Sequence, residues 1–89
     1  MRPDGTLVAR GAELLSNQGG YASHGHAIAA NAANEFRHLY NDEKALEVKA
    51  STVYTTMASG GAMRGYGIPQ AIFAIESHMD DIARELNLD

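Results

Sequence analysis

A glycine-rich stretch in the last third of the chain carries the residue types best suited to bind a ligand. It reads Ser-Gly-Gly-Ala-Met-Arg-Gly-Tyr-Gly from Ser59 to Gly67, with four glycines in nine residues, and Pro69 follows closely. Glycine has no Cβ, so the main chain can approach a bulky group. Where such a stretch enters a helix, unpaired N–H groups and the helix dipole favour anionic or oxygen-rich ligands. Arg64 adds a positive charge and Tyr66 an aromatic face.

Residue types alone leave two interpretations of this stretch open. It is either a loop that contacts an oxyanion or a cofactor, or a glycine-rich connection that crosses tightly over a helix. No Gly-Lys-Ser/Thr sequence follows it, which excludes a phosphate-binding P-loop. The glycine spacing also differs from the dinucleotide-binding fingerprint.

Two other groups of residues are candidate sites. His24 and His26 form a His-Gly-His pair, but a zinc site needs three or four ligands and no cysteine or obvious carboxylate partner lies near them in sequence. Local capping or solvent exposure is favoured for this pair. Asp80, Asp81 and Glu85 form an acidic helical face, for which a solvated surface is favoured over a catalytic carboxylate pair.

Composition restricts the class of protein. The chain has 89 residues, which predicts one domain at most, and a net charge of −4, which argues against nucleic acid as the main partner. It has no cysteine, so disulfides and iron–sulfur ligation are excluded. No apolar stretch approaches the roughly 20 residues of a membrane span, and no signal peptide is visible. These features predict a cytoplasmic location and no membrane partner.

Two strands are predicted. The first runs from Thr6 to Ser16, with Gly11 as a candidate bulge. Pro3-Asp4-Gly5 before it is strong turn chemistry of the kind that joins two strands, so we expect the upstream partner strand on a part of the protein that is missing. The alternative is a frayed terminus that merely contains proline and glycine. The second strand, Ala45 to Thr56, alternates apolar and polar residues, which predicts one buried and one wet face.

Two helices complete the pattern. The first runs from Ser23, as N-cap, to about Tyr40, and Asn41-Asp42 ends it. Pro69 opens the second, where its missing N–H costs nothing. The apolar stripe of this second helix consists of Ile72, Ile75, Met79, Ile82 and Leu86. The order strand–helix–strand–helix predicts a two-layer α+β unit with its helices on one face of the sheet.

The run Ala62–Gln70, Ala-Met-Arg-Gly-Tyr-Gly-Ile-Pro-Gln, resembles a sequence signature of one enzyme family. This family is the molybdenum hydroxylases of the xanthine dehydrogenase/aldehyde oxidase type, and the signature belongs to their large, molybdopterin-binding subunit. Asp4–Leu7, Gly19–Gly25 and the approach from Thr55 to Ser59 resemble the family in the same order and spacing. The resemblance therefore implies that residues 1–89 are a single partial domain, one interior module of a longer subunit.

The resemblance also implies roles for residues of the glycine-rich stretch. Met63, Arg64 and Gly65 would bind the cofactor, with the main chain of Arg64 near the molybdenum, and Tyr66 would line the substrate pocket and stack on the substrate. No catalytic residue is implied here, because the base glutamate of the family belongs to a C-terminal segment that this chain does not contain. Purine-oxidising eukaryotic members carry a substrate arginine about thirty residues upstream, and Ala30–Asn34 contains none. This puts xanthine in doubt and leaves another N-heterocycle or an aldehyde.

The reaction implied by the family is hydroxylation of a carbon next to nitrogen or oxygen, with water as the oxygen source. Electrons leave through iron–sulfur clusters to a flavin on other domains or subunits. The isolated chain is then expected to be inactive, to bind no molybdenum–molybdopterin by itself, and to self-associate through surfaces meant for neighbouring domains. The alternative is a free-standing, degenerate binding or interaction domain without catalysis.

Overall fold

A computed structural model describes residues 1–40 and 43–88. The elements follow in the predicted order, which confirms the α+β class. They are β1 (Ala9–Gly19), α1 (Gly25–Glu35), β2 (Ala45–Tyr54) and α2 (Ile68–Leu86). Within the described ranges no helix is long and apolar enough to cross a membrane.

β1 and β2 form a two-stranded parallel sheet in which Ala9 pairs with Ala45. Parallel strands need a crossover connection, and α1 provides it. The candidate bulge at Gly11 is wrong, because Gly11 pairs regularly with Glu47 and the register shift lies between Asn17 and Gly19 instead. At that point the Asn17 side-chain Oδ1 accepts a hydrogen bond of 2.9 Å from the Gly19 N–H, which turns the strand out of the regular ladder.

The predicted start of the first strand, Thr6, is wrong by three residues because Thr6 belongs to the turn before β1. The Gly5 N–H donates to the Arg2 carbonyl, the Arg2 N–H donates to the Thr6 carbonyl, and the Thr6 N–H donates to Asp4 Oδ1, each at 2.9 Å. The expected Pro3-Asp4-Gly5 turn therefore forms. β1 also continues past Ser16 to Gly19, and β2 ends at Tyr54 rather than Thr56.

α1 is shorter than predicted. Its N-cap is His24 rather than Ser23, and no side chain caps it. After Glu35 the chain continues in tighter turns, in which the His38 N–H donates to the Glu35 carbonyl, until Tyr40 takes a φ of 54°. The predicted helix end at Asn41-Asp42 lies outside the described residues.

α2 begins with Pro69 in its first turn, as predicted, and packs against α1. Three of the buried side chains on these helices are small, Ala29 and Ala32 of α1 and Ala71 of α2, and Ile75 of α2 is buried as well. In the rest of the predicted stripe, Ile72 is exposed. The other three side chains are half-buried: Met79, Ile82 and Leu86. α1 alone covers the sheet, and an open groove of about 780 Å³ separates α2 from β1.

A buried ion pair fixes the far end of α1 to the sheet. Arg10 Nη2 donates hydrogen bonds of 2.7 Å to the Phe36 carbonyl, just after α1, and to Glu43 Oε1. The two side chains are only 10% and 5% exposed. Because the last carbonyls of a helix lack partners within it, the guanidinium satisfies one of them while complementing the negative end of the helix dipole. Its hydrogen bond also holds the pKa of Glu43 below its ordinary value.

Candidate functional site

The glycine-rich stretch forms two successive tight turns that lead into α2. The Tyr66 N–H donates to the Met63 carbonyl at 2.8 Å, and the Ile68 N–H donates to the Gly65 carbonyl at 3.1 Å. Gly65, Tyr66 and Gly67 all have left-handed backbone conformations, with φ of 95°, 53° and 92°. The sequence had left two interpretations open, and the structure contains elements of both: the loop crosses tightly over α1 and exposes its other side.

Glycine is required at two positions of this loop. A Cβ on Gly65 would lie 2.5 Å from the ring of Pro69, and one on Gly67 would lie 2.6 Å from the carbonyl oxygen of Ile28. Both distances are shorter than van der Waals contact, and both residues have positive φ. The loop is therefore held between the first turn of α2 on one side and the backbone of α1 on the other.

The outer side of the loop presents free main-chain donors. Met63, Arg64 and Gly65 are exposed, and their main-chain N–H groups have no hydrogen-bond partner among residues 1–40 and 43–88. The Met63 side chain is 79% exposed, and a Cβ on Gly61 would meet nothing within 4 Å. Successive N–H groups at a turn form a concave anion-binding surface, which suits an oxygen-rich group. The loop is not packed shut by its own neighbours.

Tyr66 is half-buried; α1 contacts its backbone, and His24, the N-cap of α1, contacts its ring. Its carbonyl accepts a 2.8 Å hydrogen bond from Asn31 Nδ2. Its ring meets the His24 ring edge-on, at 6.4 Å between centroids, with the hydroxyl 3.5 Å from His24 Nδ1. Neither contact was predicted from the sequence, in which Asn31 stood out only as part of the segment that lacks an arginine. No local pattern points to them, because they join residues far apart in sequence.

Of the two other candidate groups, only His24 contacts this loop, through the Tyr66 ring. His26 Nδ1 lies 3.2 Å from the Thr52 hydroxyl rather than in a ligand cluster. In the described part of the chain no three His, Asp or Glu side chains come together to hold a metal. Asp80, Asp81 and Glu85 are exposed in the second half of α2, which fits a solvated face.

Comparison with known proteins gives a consistent result. The family model described as the molybdopterin cofactor-binding domain matches residues 1–89. The chain is 49% identical over 86 residues to the putative xanthine dehydrogenase molybdenum-binding subunit XdhA of Escherichia coli (strain K12), covering 97% of this chain and 11% of that subunit. No solved structure matches.

Two more distant relatives have other names. The nicotinate dehydrogenase large molybdopterin subunit of Eubacterium barkeri is 36% identical, over 97% of this chain and 20% of that subunit. The aldehyde oxidoreductase of Megalodesulfovibrio gigas is 35% identical, over 99% of this chain and 10% of its own length. The chain thus spans between a tenth and a fifth of the length of these relatives.

Proposed function

Because this chain belongs to the molybdopterin cofactor-binding domain family, we propose that it is one part of a xanthine dehydrogenase-like molybdenum hydroxylase. The enzyme hydroxylates an N-heterocycle or an aldehyde, with water as the source of oxygen. Residues 1–89 are a partial domain of its large subunit and contribute the glycine-rich loop. The names of the relatives, which include a nicotinate dehydrogenase and an aldehyde oxidoreductase, support both substrate classes.

The observation that carries the proposal is the set of three successive amides in the exposed residues Met63 to Gly65, which have no partner among the residues that the structure describes. A molybdenum–molybdopterin cofactor is rich in oxygen and phosphate acceptors, so these donors fit the group. We assign its binding to Met63, Arg64 and Gly65, with the Arg64 main chain nearest the molybdenum. Because Gly65 lies against Pro69 and Gly67 lies against Ile28, the amides of Met63, Arg64 and Gly65 are held in place before the cofactor binds. Little conformational entropy of the loop is then lost on binding.

Tyr66 supplies a wall of the substrate pocket in this proposal. Its backbone is fixed from α1, and its ring is partly exposed beside His24. A flat heterocycle gains from stacking on such a ring. When bound, the cofactor supplies the oxidation chemistry itself, which takes two electrons from the substrate. The residues of this chain bind and orient, and none of them acts as acid or base.

The remaining components are proposed to lie elsewhere: the rest of the large subunit, the base glutamate, and the iron–sulfur and flavin domains or subunits, in the cytoplasm. The isolated chain is then inactive and binds no cofactor alone.

The alternative, a free-standing degenerate binding domain, is favoured by one observation. The chain encloses its own small core and its own buried ion pair between Arg10 and Glu43.

A segment exchange tests the proposal. We expect the Escherichia coli subunit, with its matching 86 residues replaced by this chain, to retain the molybdenum content of the unaltered subunit, measured by mass spectrometry. Gly65→Val in the exchanged segment should lower that content at least tenfold, since the new side chain would collide with Pro69. Gly61→Ala is the control and should have no effect. A folded exchanged subunit without molybdenum, together with a monomeric isolated chain that binds phosphate or molybdate at the loop, would favour the free-standing domain.

Self-association of the isolated chain is also expected. Four large apolar side chains are at least 74% exposed: Leu15, Tyr21, Met63 and Phe73. Exposed apolar surface of this extent drives association in water. Sedimentation velocity should detect dimers and larger species, and Leu15→Ser with Phe73→Ser should shift the distribution towards monomer. A single monomeric species at all concentrations would contradict this expectation.

A further inference from the structure

We propose that Asn31 is a positioning residue that fixes the orientation of Tyr66 and thereby tunes the binding of aromatic substrates. The inference rests on the proposed function, because it takes Tyr66 to be the substrate-facing residue. Its own evidence is the hydrogen bond between the Asn31 side chain and the Tyr66 main chain.

Tyr66 occupies a conformation that it does not favour by itself. A tyrosine with φ of 53° is strained, because its Cβ crowds the following carbonyl in the left-handed region. Strained conformations of this kind persist only where the surroundings enforce them. The first turn restrains the Tyr66 N–H, which donates to the Met63 carbonyl, and a second restraint acts on the other side of the residue.

Asn31 supplies the restraint. Its Nδ2 group donates to the Tyr66 carbonyl at 2.8 Å in a partly buried position, across 35 positions of sequence. It is the only side chain in the described part of the chain that donates a hydrogen bond to the main chain between residues 59 and 67. Asn31 lies in the middle of α1, two turns after its start, where the helix backbone is rigid. The Asn31 side-chain amide therefore anchors Tyr66 to a rigid helix rather than to the loop.

The same helix and its N-cap residue contact the neighbourhood of Tyr66 on two further sides. Gly67 lies against the Ile28 carbonyl and Ala32, and the His24 ring meets the Tyr66 ring. Asn31 adds a restraint at the Tyr66 carbonyl, which accepts no main-chain hydrogen bond within the described part of the chain.

The first test measures the loop itself in the full chain by hydrogen–deuterium exchange. Asn31→Asp keeps the size of the side chain and removes the N–H donor, so we expect the amides of Tyr66 and Ile68 to exchange about fivefold to tenfold faster. Exchange in β1 and β2 should stay unchanged, which reports that the variant is folded. Asn34→Asp, in an exposed position of the same helix, is the matched control and should leave the loop amides unaffected. Unchanged exchange at Tyr66 and Ile68 in a folded Asn31→Asp chain would overturn the assignment.

The second test separates positioning from general stability. In the molybdenum-loaded enzyme that contains this segment, Asn31→Asp should raise KM for an aromatic heterocycle such as nicotinate about tenfold, with kcat nearly constant. KM for acetaldehyde, which has no ring to stack, should change less than twofold. Equal losses for both substrates would mean a merely structural role and would overturn the inference. An enzyme that oxidises neither heterocycles nor aldehydes before mutation would refute the proposed function. The hydrogen–deuterium exchange result would still decide whether Asn31 restrains Tyr66.

Discussion

Gly67→Ala is expected to lower the free energy of unfolding of the chain by about 3 kcal/mol. The left-handed conformation costs an alanine roughly 1–2 kcal/mol, and overpacking against a rigid neighbour adds roughly 1–3 kcal/mol. The neighbour here is main chain: the new Cβ would lie 2.6 Å from the Ile28 carbonyl oxygen, which cannot move without distorting α1. Urea unfolding followed by circular dichroism measures the change.

Gly61→Ala is the matched control, because its Cβ would meet nothing within 4 Å and its φ is not in the left-handed region. It should change the free energy of unfolding by less than about 1 kcal/mol. Since Gly67 seats the loop on α1, Gly67→Ala should also speed amide exchange at Tyr66. Equal stabilities for the two alanine variants would show that the loop does not rest on α1 as described.

Arg10→Met is the second change for which we expect a large effect. It removes the partner of the Glu43 carboxylate, which is 5% exposed, and it leaves the Phe36 carbonyl without its donor. Removing one member of a buried pair is costly because the other charge stays in a poorly solvated place. Arg84→Met is the control: its pair with Asp81 is 76% and 68% exposed, where such pairs contribute little. We expect a clearly lower urea midpoint for Arg10→Met and almost no change for Arg84→Met.

The effect should depend on pH in a definite direction. The hydrogen bond from Arg10 lowers the pKa of Glu43 below its ordinary value of 4.5. A group with a depressed pKa in the folded state contributes stability that is present above its unfolded pKa and is lost as the pH falls through its folded pKa. The difference between the wild type and Arg10→Met should therefore be full at neutral pH and shrink below about pH 4. Adding Glu43→Gln to Arg10→Met should restore part of the lost stability; no restoration would contradict the buried-pair explanation.

Element types could be predicted from the sequence because each follows from local patterns. Alternation in β2, the stripe in α2 and Pro69 at its start are short-range signals, and the strand and the helix form where these signals predict them. The predicted burial is only partly right, because no side chain of β2 is fully buried and Ile72 of the α2 stripe is exposed. The predicted ends of the elements were wrong where contacts with residues distant in sequence determine them. β1 starts at Ala9 because β2 begins at Ala45, and α1 ends before Phe36, whose carbonyl is taken by Arg10.

In the candidate loop, too, the features with a local signal were predictable and the contacts between distant residues were not. Its glycine content indicated close backbone approach, and the collisions that a Cβ would make at Gly65 and Gly67 agree with this. Its family was recognisable from the Met63–Gln70 run, and the match of the cofactor-binding family model confirms it. The hydrogen bond from Asn31 to Tyr66 was not predictable, because it forms only where α1 crosses under the loop. A short stretch of sequence does not show that crossing. The roles of Met63, Arg64, Gly65 and Tyr66 stay predictions.

The parallel pairing of β1 with β2 has a consequence for how the chain folds. Every ladder contact joins residues on opposite sides of α1, so no strand pair can form as a local hairpin. The entropy of closing that long loop is lost before any sheet contact compensates for it, which slows folding. During synthesis on the ribosome, β1 emerges before β2 and cannot form its ladder with β2 until β2 has been translated, while its Leu15 is exposed. Chaperone binding to nascent β1 would shorten the interval in which that strand can pair wrongly with another chain.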